Sequence, residues 1–156
     1  MTDYHARLAE LGITLPAVVP PVAAYQPAVR SGDQVYVSGQ LPMVDGKLPE
    51  TGLADDLEPA RAAELARLCA LNGLAALDAL VGLNAVKQII KVTGFVAASA
   101  AYTDHPKVIN GASELFGEVF GDAGVHARAA VGVASLPLGS PVEVELIAAV
   151  LRGRGR

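Results

Sequence analysis

"HARAAVGVASLPLGSPVEVELIAAV", residues 126–150, decides how the chain is read. Two apolar arms flank Leu-Pro-Leu-Gly-Ser-Pro, which is the pattern of a β-hairpin with strands over 127–135 and 142–150. Yet Arg128 opens the first arm, and Glu143 and Glu145 interrupt the second. A guanidinium among alanines and valines needs an anion beside it. An ion pair with Glu143 or Glu145 satisfies that need. So does a bound carboxylate held in bidentate fashion. Glu143 and Glu145 stand two apart, so on a regular strand they share a face. One of them can meet Arg128 or Lys91 while the other faces water.

Working outward, "AVKQIIKVTGFVA", 85–97, is rich in β-branched residues and reads as a strand, with Lys87 and Lys91 near solvent. Pro106 suits the first turn of a helix over 106–120, with Val108, Ile109, Ala112, Leu115, Phe116 and Val119 on its apolar face. The longest helical pattern spans 57–80, with Pro59 in its first turn and Gly82 at its end. Upstream, runs at 23–29 and 34–38 flank Arg30-Ser-Gly-Asp33, a hairpin signal, and Asp45-Gly46 marks a tight bend. Residues 2–11 read as a short amphipathic helix capped by Thr2 or Asp3, with Leu8 and Leu11 facing inward. "LPAVVPPV", 15–22, reads as an extended connector. The order is strand pair, helix, strand, helix, strand pair. It implies an α+β fold, a mixed sheet with two main helices packed on one face.

The chain has 156 residues and carries a formal net charge of −4, with 52% hydrophobic and 18% charged residues. That length suits one domain with a buried core. So few charges cannot cover the surface evenly. The strands are apolar on both alternating sets, so the sheet face opposite the helices is expected to pack on sister subunits. The acidic balance provides no electrostatic footprint for nucleic acid. The tail Arg152-Gly-Arg-Gly-Arg156 is basic and reads as a solvated terminus, with RNA contact as the lesser alternative. The single Cys69 lies in an apolar helical pattern and reads as an inert buried thiol. Polar residues interrupt every apolar run, so neither a membrane span nor a signal peptide is expected. A cytoplasmic location is the default.

Motifs for phosphate loops, metal sites and nucleophile elbows are missing, and the three histidines, His5, His105 and His126, lie far apart. What remains is polar residues on apolar strands. Tyr25, Ser38 and Gln40 form such a set on the first hairpin, each open to a structural hydrogen bond or to a place in a site.

At these residues the chain resembles the reactive-intermediate deaminases, the RidA/YjgF family long labelled endoribonuclease L-PSP. "VYVSGQLP", 35–42, carries part of the resemblance, with Tyr25 thirteen positions before Ser38. The other part is Arg128-Ala-Ala-Val-Gly-Val-Ala-Ser-Leu-Pro137 followed by Val142-Glu143-Val144, with Arg128 and Glu143 fifteen apart. Asn110 stands where the family has an asparagine, with one extra residue between it and the arginine. The chain is longer than common members, chiefly at its N-terminus, and looks like a longer subgroup.

The resemblance covers about residues 22–150, with 1–21 as an N-terminal extension and 151–156 as a basic tail. It implies a chorismate-mutase-like fold, a homotrimer with a central β-barrel, and sites in the clefts between subunits. It implies hydrolysis of small enamine or imine acids, such as 2-aminoacrylate or 2-iminobutanoate, to 2-oxo acids and ammonia, with no cofactor. Carried over by position, Arg128 clamps the substrate carboxylate and Glu143 positions or activates water. Tyr25, Ser38 and Asn110 line the pocket, and the backbone at Ala130 meets the imine nitrogen or the water. Three positions depart from the family pattern: Ala130 replaces a frequent cysteine, His126 replaces a proline or alanine, and Gly132 replaces a residue with a side chain. The alternatives are a carboxylate-binding or regulatory trimer without turnover and, less favoured, a ribonuclease.

Overall fold

The computed structural model describes residues 2–21 and 23–153. Arg154–Arg156 of the basic tail, where an RNA contact was considered, lie outside the described residues.

Alternating burial builds the sheet. Strands β1 (Ala28–Ser31), β2 (Gln34–Gln40), β3 (Val86–Ala97), β4 (Ala127–Val133) and β5 (Val142–Val150) join in the order β1-β2-β5-β3-β4. Helices α1 (Tyr4–Glu10), α2 (Pro59–Val81) and α3 (His105–Phe120) complete the chain. The β3–β4 pair is parallel and every other pair is antiparallel. The expected mixed α+β sheet is thus present. Helices α2 and α3 pack on each other and on one sheet face. That face contributes Val35, Val37, Ile89, Val92, Val96, Val144, Leu146 and Ala148 to a single buried cluster with Leu65, Leu74, Ile109 and Phe116. α1 is capped as its sequence suggests: the Ala6 N–H donates to Asp3 Oδ1 at 3.0 Å. Its Tyr4 ring packs edge-on against Phe120 at the end of α3.

The expected C-terminal hairpin does not form. β4 and β5 lie on opposite sides of β3. The cause is the helix that precedes β4. A strand followed by a helix and then another strand returns the chain parallel to its start, as a crossover unit. β4 therefore adds beside β3 in parallel, and β5 takes the other flank. The loop of Pro and Gly residues between them steps over the end of β3. There the Ala97 N–H donates to the Pro141 carbonyl at 2.9 Å and the Ala98 N–H to the Val133 carbonyl at 3.1 Å. The first hairpin is also shifted: β1 begins at Ala28, later than the run of 23–29, because Pro27 precedes it and 23–25 bends instead. The Asp45-Gly46 bend is present, with both residues at positive φ (51° and 78°) and Val44 paired to Lys47. These are the signs of a tight two-residue turn.

The second sheet face carries Val29, Tyr36, Phe95, Val131 and Ile147 among Lys91, Thr93 and Glu145. Among the described residues no helix covers it, and Val29, Tyr36 and Val131 are 53%, 45% and 43% exposed.

Candidate functional site

The residues singled out from the sequence fall into two groups. Arg128 pairs in register with Val92, a buried residue of the helix-covered face. Its side chain therefore rises toward α3 at the sheet edge. Its Nη1 donates to Asn110 Oδ1 at 2.7 Å and to Ser113 Oγ at 3.2 Å. Asn110 and Ser113 are three apart, hence on one side of the helix. Ser113 Oγ also lies 2.9 Å from His126 Nε2, and His126 Nδ1 lies 2.6 Å from the Gly124 carbonyl. A carbonyl only accepts, so Nδ1 carries a proton, and in the neutral imidazole Nε2 then accepts from the serine hydroxyl. Ala130 sits two residues past Arg128 on the same face, packed on the core.

Beyond Ala130, Gly132 is needed for a close approach. A Cβ there would stand 2.6 Å from His105 Nε2, so the imidazole crosses the strand where the family pattern has a side chain.

Glu143 belongs to the other group. It pairs in register with Phe95, three residues from Val92, so it faces the open side of the sheet. It is half-buried, and burial pushes its carboxyl above the ordinary glutamate value, with Glu145 adding to the shift. The carboxyl lies over the backbone of Gly39, where a Cβ would collide with Glu143 Oε1. A side chain there would push the carboxyl off this seat. The two pairings of β2 with β5 change register between Val37 and Gln40, and this irregularity brings Gly39 under the acid. Tyr25, Pro27, Gln40 and Pro137 complete a small pocket around Glu143. Ser38 stands beside it. Its Oγ donates to the Gln26 carbonyl at 2.6 Å, and its N–H donates to the Pro27 carbonyl at 2.8 Å. Ser38 thus holds the Tyr25 segment against β2. Gln40 is buried and donates to the Ser38 carbonyl at 3.1 Å.

The ion pair between Arg128 and Glu143 or Glu145 does not form. Among the described residues, the ion pairs involve none of Arg128, Lys91, Glu143 or Glu145. Geometry forbids the Glu143 pairing. The two residues sit two strands apart and three residues apart along the sheet, about 14 Å between Cα atoms, on opposite faces. Cys69 matches its reading: it is fully buried, and burial pushes its thiol well above the ordinary range.

Sequence reasoning missed Ser113 and gave His126 no part, although Ser113 follows Asn110 at helical spacing and His126 precedes Arg128 by two. It also missed Gly39, whose only signal is its place between Ser38 and Gln40.

A family model described as "YjgF/chorismate_mutase-like, putative endoribonuclease" matches residues 5–150. Protein TCP17 of Trypanosoma cruzi is 44% identical over 145 residues, 91% of each chain. A crystal structure of the protein Atu1372 from Agrobacterium tumefaciens, whose function is unknown, is 45% identical. It matches with a TM-score of 0.87 over 95% of this chain and 92% of its own. E. coli TdcF, solved with bound serine, is 27% identical and matches with a TM-score of 0.61 over 87% of this chain and 93% of its own. With the family model spanning all but the ends and a relative alike across 91% of both chains, this chain belongs to the YjgF/chorismate-mutase-like family.

Proposed function

We propose that the protein hydrolyses small imine or enamine acids, of the 2-aminoacrylate or 2-iminobutanoate type, to 2-oxo acids and ammonia. The observation that carries this reading is the state of Arg128. Nη1 is held by two neutral oxygens, and among the described residues the guanidinium has no carboxylate partner. Its Nε and Nη2 are left to grip a substrate carboxylate in the bidentate manner that guanidinium geometry favours.

Glu143 supplies the proton chemistry. A desolvated carboxyl with a raised pKa is a better base near neutral pH than an exposed one. It takes a proton from water as the oxygen adds to the imine carbon. It returns that proton to nitrogen to complete the carbinolamine, and the hydroxyl proton then follows the same route to nitrogen as the C–N bond breaks, the carbonyl forms and ammonia leaves. The imine carbon is already electrophilic, so orientation and one proton relay are sufficient. Tyr25, Ser38 and Asn110 line the cleft, and the backbone at Ala130 meets the imine nitrogen or the water.

One chain cannot bring Arg128 and Glu143 onto one small molecule, because they lie on opposite faces of the sheet. Two chains can. The open face with Val29, Tyr36 and Val131 exposed, and the uncovered edge at β4, are surfaces that a ring of copies would bury. We therefore read the assembly as a homotrimer with a central barrel, each cleft taking Arg128 from one protomer and Glu143 from its neighbour.

Ammonia release from freshly generated 2-iminobutanoate tests the reading, with loss expected in Arg128→Ala. A rate equal to buffer from the assembled wild-type protein would sink it. Binding without turnover is the second reading, favoured by the bound amino acid in TdcF. It predicts thermal stabilisation by 2-oxo acids with a flat hydrolysis assay. The acidic balance gives RNA cleavage no support. No helix among the described residues is long and apolar enough to cross a membrane, and we take the site of action to be the cytoplasm.

A further inference from the structure

The geometry points to His126 and Ser113 as positioning residues that hold the Arg128 guanidinium in its carboxylate-binding orientation, an inference that rests on Arg128 being the clamp. A serine hydroxyl can turn its proton or its lone pairs toward a neighbour. Turned the wrong way, Ser113 would present a proton to a cation. His126 removes that freedom. Its Nδ1–H is committed to the Gly124 carbonyl at 2.6 Å, so in the neutral ring Nε2 is an acceptor and draws the Ser113 proton toward itself at 2.9 Å. The lone pairs of Ser113 Oγ then face Arg128 Nη1 at 3.2 Å, and Asn110 Oδ1 takes the same nitrogen at 2.7 Å. Donation runs one way, from guanidinium to serine to imidazole. The imidazole is itself fixed by its edge-on contact with Phe116, ring centroids 5.8 Å apart. A chain with proline or alanine in place of His126 lacks this device.

The test separates the shape of His126 from its acceptor. H126F keeps a ring against Phe116 and removes Nε2. H126Q can place Oε1 near the Nε2 position. Affinity is read with 2-oxobutanoate, the stable product, and with its neutral amide as a control, alongside the oligomeric state of each variant. The expected result is a roughly tenfold weaker Kd for 2-oxobutanoate in H126F, about one lost charge-assisted hydrogen bond's worth of alignment. The amide should be unchanged, and H126Q should bind nearly as the wild type does. S113A, which keeps the ring against Phe116 and removes the hydroxyl that joins it to Arg128, should match H126F. Wild-type affinity for 2-oxobutanoate in both H126F and S113A overturns the inference while leaving the clamp intact. Equal losses for acid and amide overturn it as well, because that marks general damage. If the wild type itself binds no 2-oxo acid, the clamp reading fails and the inference with it.

Discussion

The two halves of the proposed site are built on opposite principles. Around Arg128, one nitrogen of the guanidinium is held in a directed chain of hydrogen bonds while Nε and Nη2 stay open to a ligand. Asn110 and Ser113 accept from that nitrogen, His126 fixes Ser113, and Gly124 fixes His126. Around Glu143 the surroundings are mostly apolar. The carboxyl rests over bare backbone at Gly39, in a pocket lined by Tyr25, four prolines and Val19, Leu41 and Met43, and the like charge of Glu145 adds to the upward shift of its pKa. A clamp must be the same before and after the substrate binds, and a directed network behind Nη1 keeps it so. A proton carrier must be easy to protonate and deprotonate, and desolvation achieves that. The contrast lies in what each half does to a charge: one orients it and the other makes it costly.

Breaking either half alone should give the largest effects. Arg128→Ala removes a bidentate grip and should weaken binding of a 2-oxo acid about 100-fold, ~3 kcal/mol. Glu143→Gln should leave that binding within a few-fold and abolish turnover instead. The two defects should complement. If each cleft draws Arg128 and Glu143 from different protomers, co-refolding R128A with E143Q chains at equal ratio restores about one cleft in four. Ammonia release near a quarter of the wild-type rate is the expected outcome. Mixed assemblies as inactive as their parents would place both residues in the same chain's site, or outside it.

The same contrast explains what could be read from the sequence. The strands and helices were legible because burial alternates along β5 and recurs at helical spacing along α2 and α3. Arg128, Glu143 and Tyr25 stand out as polar residues in apolar, strand-like runs, whereas Asn110 is reached only through the family resemblance. The pairing of strands was not legible. The stretch 126–150 has the local pattern of a hairpin, and only the helix before it, acting over the whole crossover, sends β4 and β5 to opposite flanks of β3. That non-local step also separates Arg128 from Glu143, so the expected ion pair failed for the same reason as the hairpin. The Ser113–His126 link depends on a helix and a strand meeting, and no one-dimensional pattern records it. Gly39 looks like any glycine near a strand end until a carboxyl is found lying on it.

A smaller effect sharpens the comparison on the apolar side. Gly39→Ala puts a methyl where Glu143 Oε1 now lies. The side chain must rotate off its seat, at a cost of order 1 kcal/mol for a strained rotamer. Turnover should fall about tenfold while affinity for 2-oxobutanoate changes little, since the Arg128 network is untouched. Equal losses in both would show that Gly39 supports the whole cleft. Measuring kcat and Kd on one preparation separates the cases.

The smallest expected effect concerns Glu145, and it is read in pH. Burial is the larger cause of the raised Glu143 pKa and the charge of Glu145 is the smaller one. Glu143 acts as a base only when ionised, so the rate should rise with pH through its raised pKa. Glu145→Gln removes the like charge, so the carboxylate form of Glu143 becomes easier to reach. The acidic limb of the kcat profile should therefore move to lower pH, yet stay above the position of an ordinary glutamate because burial persists. Stability carries the matching sign. A carboxyl whose folded pKa is raised favours the folded state when protonated, so its contribution declines as pH rises from the unfolded value through the folded one. Glu143→Gln, which cannot ionise, should raise Tm relative to wild type at neutral pH, and the gain should vanish at acidic pH. An acidic limb that ignores Glu145 would leave desolvation as the sole control on the base. A limb that moves to the ordinary glutamate position would instead make charge repulsion, and not the apolar seat over Gly39, the feature that distinguishes this half of the site.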